Sequence, residues 1–87
     1  MKELKKLIDE YQNGSQKEKE IIQEFCVNRN KEKKLEVGSR IVIIDMKKES
    51  SYIGKKGAVL SIDDIGQLHG TWGGCAIIPG VDVFLLL

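Results

Sequence analysis

An α+β protein, a short helical hairpin followed by five strands closing into a small β-barrel, is what the sequence predicts, and three features predict it. Apolar residues recur at helical spacing as far as Cys26. A charged run then crosses from Asn28 to Lys34, and from Val37 onward β-branched runs alternate with Gly, Asp and Ser clusters. At 87 residues, 41% hydrophobic and 31% charged, the chain has room for one compact domain or a barrel with a helical appendage. Two separate large cores are excluded at this length. The expected division is residues 1–34 for the hairpin with its charged linker and 35–87 for the barrel.

Between Lys2 and Gln12, Leu4, Leu7, Ile8 and Tyr11 fall at the i, i+3, i+4, i+7 spacing of a helix with one buried stripe. Asn13-Gly14 ends it. Ser15 followed by Glu18 is a capping box, in which each side chain satisfies an amide of the other residue, and it marks the start of a second helix. There Ile21, Ile22, Phe25 and Cys26 repeat the stripe, with Lys17, Glu20, Glu24 and Arg29 on the wet side. Helices this short are marginal alone, so the stripes must be buried against each other, the barrel or a second subunit. Five of the seven residues from Asn28 to Lys34 are charged and none is apolar, which predicts a solvated linker or frayed helix.

Strands are expected at Ile41 to Ile44, Gly57 to Ile62, Gln67 to Trp72, Cys75 to Ile78 and Val83 to Leu86. A long connection from Asp45 to Lys56 joins the first two, and Gly73-Gly74 supplies a two-residue hairpin turn between the third and fourth. Pro79-Gly80-Val81-Asp82 interrupts the chain before the fifth. A long first loop, a tight later hairpin and one turn before the last strand are the layout of SH3-like barrels. Because Ile41 to Ile44 is apolar at every position, both faces of the first strand need cover. The Leu4/Leu7/Ile8 and Ile21/Phe25 stripes, docked on that strand or on the Val83 to Leu87 end, would provide it.

Net charge is +1, with nine basic and seven acidic side chains in residues 1–34 and five and six in residues 35–87. Neither half has the basic excess of a protein that binds nucleic acid by charge alone. Cys26 and Cys75 stand apart without a metal-ligand or redox partner and read as reduced, partly buried thiols. The charged Met-Lys-Glu-Leu-Lys-Lys opening lacks the apolar stretch of a secretory signal, and no segment has transmembrane length. A cytoplasmic location, with no membrane contact, is therefore expected.

Five segments carry a family resemblance. These are Val37-Gly38-Ser39-Arg40-Ile41, Ile53-Gly54-Lys55-Lys56-Gly57-Ala58-Val59, Asp63-Asp64-Ile65-Gly66-Gln67-Leu68-His69, Trp72, and Ile78-Pro79-Gly80-Val81-Asp82. Over roughly residues 37–87 the chain resembles the domain of unknown function 4314 family, small bacterial proteins or domains frequent in phages and conjugative elements and similar to SH3-like and KOW-like barrels. The resemblance implies the barrel and a mobile-element setting, and it implies no activity, substrate or ligand.

Candidate site residues are few. His69, the sole histidine, sits on the third strand out of phase with Leu68 and Trp72, as a solvated strand residue would. Asp63 and Asp64 suit a turn better than a cation, since two adjacent carboxylates supply too few converging oxygens. Gly54, Gly57 and Gly66 flank strands rather than lead through Gly-Lys-Ser/Thr into a helix, so no phosphate loop is read from them. Lys47, Lys48, Lys55 and Lys56 bracket the long loop and, with Tyr52 as the one aromatic in position, form the best electropositive patch for nucleic acid. Trp72 could offer an aromatic platform of the kind that binds proline-rich helices, but its phase with Leu68 favours the core. No catalytic residue, metal ligand or cofactor is expected. The sequence thus predicts a non-enzymatic accessory binding module making protein contacts or self-associating, with nucleic-acid binding through the loop lysines as the alternative.

Overall fold

The computed structural model describes the backbone from Lys2 to Leu87 and the side chains from Leu4 onward. Two helices, α1 (Lys2–Asn13) and α2 (Gln16–Lys33), precede the strands β1 (Arg40–Asp45), β2 (Lys56–Ile62), β3 (Leu68–Gly70), β4 (Gly73–Ile77) and β5 (Val83–Leu86). The capping box forms as expected: Glu18 N donates to Ser15 Oγ at 3.3 Å and Ser15 N donates to Glu18 Oε1 at 3.5 Å. Beyond it, α2 runs through the charged segment as far as Lys33. The segment expected to be a solvated linker or frayed helix is therefore helix as far as Lys33, because its middle is fastened to the sheet. Asn30 Nδ2 donates to Phe84 O at 3.0 Å, Asn30 Oδ1 accepts from Leu86 N at 2.8 Å, and Arg29 Nε donates to Leu86 O at 3.3 Å.

The strands form one antiparallel sheet in the order β4-β3-β2-β1-β5. The first half of β2 pairs with β1 (Ile41 opposite Gly57) and its second half with β3 (Ile62 opposite Leu68), so the sheet turns a corner along this strand. One face holds a core of Ile41, Ile43, Met46, Val59, Leu68, Trp72, Ile77, Phe84 and Leu86. Ile77 of β4 and Phe84 of β5 come from opposite edges of the sheet, so the sheet curls around that core.

It does not close. Among the described residues no ladder joins β4 to β5, and only an isolated bridge between Pro79 and Asp82 spans the corner. The closed SH3-like barrel expected from the strand layout is thus an open, curled sheet. Two causes are visible. Pro79 has no N–H to extend β4, and the outward-facing groups of β5 are already taken by Asn30 and Arg29.

The other face carries Val42, Ile44, Val83 and Leu85, and the helices cover it with Tyr11, Ile22 and Cys26, flanked by Leu4, Leu7 and Ile8. The cover required by the all-apolar β1 is present, and Ile41 to Ile44 are all buried. The stripe expected on α1 is the one used. On α2 it is rotated: Ile22 and Cys26 face the sheet, whereas Ile21 is 60% and Phe25 51% exposed. Neighbours on a helix diverge by about 100°, so one member of each pair must turn away. The row Ile22, Cys26, Asn30 at i+4 steps is the one that the bonds to β5 select.

The β3–β4 hairpin turns at Thr71-Trp72, with Gly70 opposite Gly73, rather than at Gly73-Gly74. The indole of Trp72 lies so close over Gly70 that a Cβ there would strike the ring and Ala58 O. Gly73, at φ 145, gives Tyr52 room to pack beside the strand. Both glycines therefore serve the packing of aromatic rings, and the turn falls between them.

Candidate functional site

A cavity of about 430 Å³ opens between the C-terminal half of α2 and the corner that leads into β5. Cys26 and Val27 form the helical wall, Leu35 follows from the segment after α2, and Val81, Val83 and Phe84 form the opposite wall. The exposed lysines Lys31 and Lys34 also line it. Of these, Val27 and Val81 are half exposed although apolar.

The corner owes its shape to Asp82, which is only 5% exposed. Its Oδ1 accepts from Lys47 N at 3.1 Å and its Oδ2 from Ile78 N at 2.8 Å, tying the segment after β1 to the end of β4. With both carboxylate oxygens engaged internally, the chemistry that the cavity offers an incoming group is apolar surface beside two ammonium groups. The thiol of Cys26 adds little reactivity, since burial pushes it up to about 11 against a smaller opposing effect of Arg29.

The residues singled out from the sequence lie elsewhere. The ends of the long loop do meet, Ile43 N donating to Lys55 O at 2.9 Å and Gly54 N to Ile43 O at 2.8 Å. The four lysines nevertheless do not form one surface. Lys56 stands opposite Val42 and so shares the helix-covered face of the sheet, while Lys55 points to the other face. There its Nζ sits 4.6 Å from the centre of the Tyr52 ring, which is itself half-buried against the core. Lys47 and Lys48 are exposed in the bend after β1, and the backbone N–H of Lys47 is the one held by Asp82. Trp72 is 4% exposed and donates its Nε1–H to Cys75 O at 2.8 Å, so it is a core residue and offers no platform.

His69 does meet an acid: its Nε2 lies 3.0 Å from Asp63 Oδ2. Asp63 Oδ1 accepts from Ile65 N at 3.1 Å and Gln67 N at 2.8 Å, as a turn-forming aspartate does. Both side chains are open to solvent, and Asp64 is not part of the arrangement. Among the described residues, no group of three or more His, Cys, Asp or Glu is placed to hold a metal ion.

The bond from His69 and then the Gln67 amide hold the Asp63 carboxyl below its usual value of 3.8. A lowered folded-state pKa contributes stability that is present above the unfolded value and disappears as pH falls toward the folded one. The melting temperature is therefore expected to fall as pH drops below about 3.8, and to fall less steeply in Asp63→Asn. Parallel profiles for the two proteins, followed by circular dichroism, would remove the turn from the list of acid-sensitive contacts.

Reading the sequence missed Val27, Lys31, Lys34 and Val81, which line the cavity, and Asn30, which fastens the helix. Two signals were present. Val27 is an apolar residue on an otherwise polar flank of α2, and Val81 is an apolar residue inside a turn. No described helix is long and apolar enough to cross a membrane.

No curated protein and no solved structure matches the chain. A family model does, and it begins within α2 at Val27, so that it takes in Asn30 as well as the whole sheet and the Ile78-Pro79-Gly80-Val81-Asp82 corner. Over residues 27–87 the chain matches, and belongs to, the family described as domain of unknown function (DUF4314).

Proposed function

We propose that the protein is a non-enzymatic accessory binding module of the bacterial cytoplasm that engages another protein through the cavity between α2 and the β4–β5 corner. The observation that carries this reading is the cavity itself, apolar in its walls, bordered by Lys31 and Lys34, and about 430 Å³ in volume. Sites that take a ligand or an anchoring side chain are commonly of about 300–1,000 Å³, largely apolar with a few charged groups at the edge. The exposure of Val27 and Val81 means that the monomer leaves part of this surface uncovered.

The rival reading, a nucleic-acid-binding module of a mobile element, has less support. It needs a continuous cationic track with aromatic stacking, whereas Lys55 and Lys56 diverge across the sheet and Tyr52 is packed inward beneath Lys55.

A photo-crosslinking side chain introduced in cells at Val81, and separately at Lys48, tests the proposal. Protein adducts are expected from position 81 and are expected to vanish when Val27→Glu is added. Absence of protein adducts at 81, or nucleic-acid adducts at 48 together with oligonucleotide binding that weakens steeply with salt, would reverse the reading.

A further inference from the structure

The opposite end of the molecule carries a segment whose chemistry complements the cavity. Leu60, Ile62 and Ile65 are all exposed, and Ile65, at 78%, is the most exposed large apolar residue described. All three lie in the outer part of the β2–β3 hairpin, together with Asp63 and Asp64. Asp63 is occupied by His69 and by the turn amides. Asp64 has no hydrogen-bond or ion-pair partner among the described residues and is exposed. The tip thus presents an apolar side chain beside that carboxylate, and the cavity presents apolar walls beside two exposed ammonium groups that have no ion-pair partner among the described residues.

Within one chain the strand register sets the tip apart from the β4–β5 corner. Because β2 runs antiparallel to β1 with Arg40 opposite Ala58, the hairpin tip lies beyond the Arg40 end of β1. Because Asp45 stands opposite Val83, the corner that walls the cavity lies at the other end.

We infer that the occupant of the cavity is the β2–β3 tip of a second copy of this chain, with Ile65 seated between Val27 and Val81 and Asp64 facing Lys31 and Lys34. This rests on the cavity being a protein-docking site and names its partner. The contact joins two different surfaces, so a pair of chains related by a two-fold axis makes it twice, and a head-to-tail arrangement closes into a ring or runs on as a filament.

Sedimentation of the full chain between about 10 µM and about 1 mM tests it, a range that covers weak reversible association. Concentration-dependent association is expected. Ile65→Asp should weaken it by at least about tenfold, since an apolar side chain of this size loses its burial. Asp64→Lys should weaken it about fivefold, and Lys31→Glu with Lys34→Glu added to the same chain should restore it. All of these side chains are exposed, and circular dichroism of each variant checks that the fold is unchanged.

A chain that stays monomeric at the highest concentration overturns the inference, as does association that Ile65→Asp leaves intact. The two proposals fail separately. A monomer whose position 81 still crosslinks other proteins removes self-docking alone, whereas a monomer with no protein adduct at 81 removes the docking site as well.

Discussion

Asp82→Ala is expected to lower the unfolding free energy by about 3 kcal/mol, because it strips two charge-assisted hydrogen bonds from part-buried backbone amides and supplies no replacement. The amides are those of Lys47 and Ile78, held at 3.1 and 2.8 Å by the two oxygens of one carboxylate that is 5% exposed. Each such bond is worth about 1.5–3 kcal/mol when one partner is charged. Part of that is returned, since the variant no longer buries a carboxylate. A chain of this length has of order 4–13 kcal/mol of stability in total, so the loss is a large fraction. In a domain of this size it corresponds to a fall of about 15 °C or more in melting temperature.

Asp82→Asn sharpens the test. The amide oxygen can keep one of the two N–H groups, but the NH₂ must then face the other, donor against donor. The asparagine variant is therefore expected to lose most of what alanine loses, although it keeps the volume and polarity. Urea denaturation followed by the fluorescence of Trp72, the one tryptophan and a buried one, reads both variants. A cost below about 1 kcal/mol for alanine would mean that these bonds contribute no more than surface contacts do, and the corner would need another explanation. The same variants bear on binding, because Asp82 shapes the corner that carries Val81 and Val83.

Most of the architecture could be read from periodicity because the signals were local. Leu4, Leu7, Ile8 and Tyr11 lie on one helix face whatever they pack against, and Ser15 and Glu18 cap each other within four residues. The four apolar positions of β1 demanded two covers, and both are present. What could not be read depends on partners remote in sequence. Ile22 and Ile21 are equally apolar, and only the bonds between Asn30 and β5, some fifty residues on, decide which of them faces the sheet. Closure of the sheet failed for a related reason. Whether β5 pairs with β4 depends on whether its outer edge is free, and it is not. The cavity walls come from α2, the segment after it and the β4–β5 corner, three places that no single window of sequence places side by side. His69 and Asp63 are six residues apart across a hairpin whose register had to be known before they could be seen to meet.

Asn30→Ala is expected to destabilise the fold by about 2–3 kcal/mol, since one carboxamide serves a buried-edge donor and a buried-edge acceptor and both are left unpaired. In an antiparallel pair, alternate residues of a strand aim their N–H and C=O away from the partner strand. Leu87 N bonds to Arg40 O on the β1 side, which sets Phe84 and Leu86 facing outward, and these are the residues that Asn30 binds at 3.0 and 2.8 Å. The side chain therefore stands where the peptide group of a sixth strand would stand. Its removal should do more than lower stability. It should release the last turns of α2 and leave β5 as an open edge, the kind of surface on which chains pair and aggregate. Hydrogen exchange separates this local effect from global destabilisation. Under conditions where the sheet stays folded, the Leu86 amide should exchange at least about tenfold faster in Asn30→Ala, a change that corresponds to about 1.4 kcal/mol of local opening. The amides of β3, on the far side of the sheet, should slow or quicken only with the global stability. Arg29, at 3.3 Å from Leu86 O, can retain part of the helix anchor but has no acceptor for Leu86 N. Unchanged protection at Leu86 would therefore show that α2 does not cover the edge of β5, and it would leave Pro79 alone to account for the open sheet.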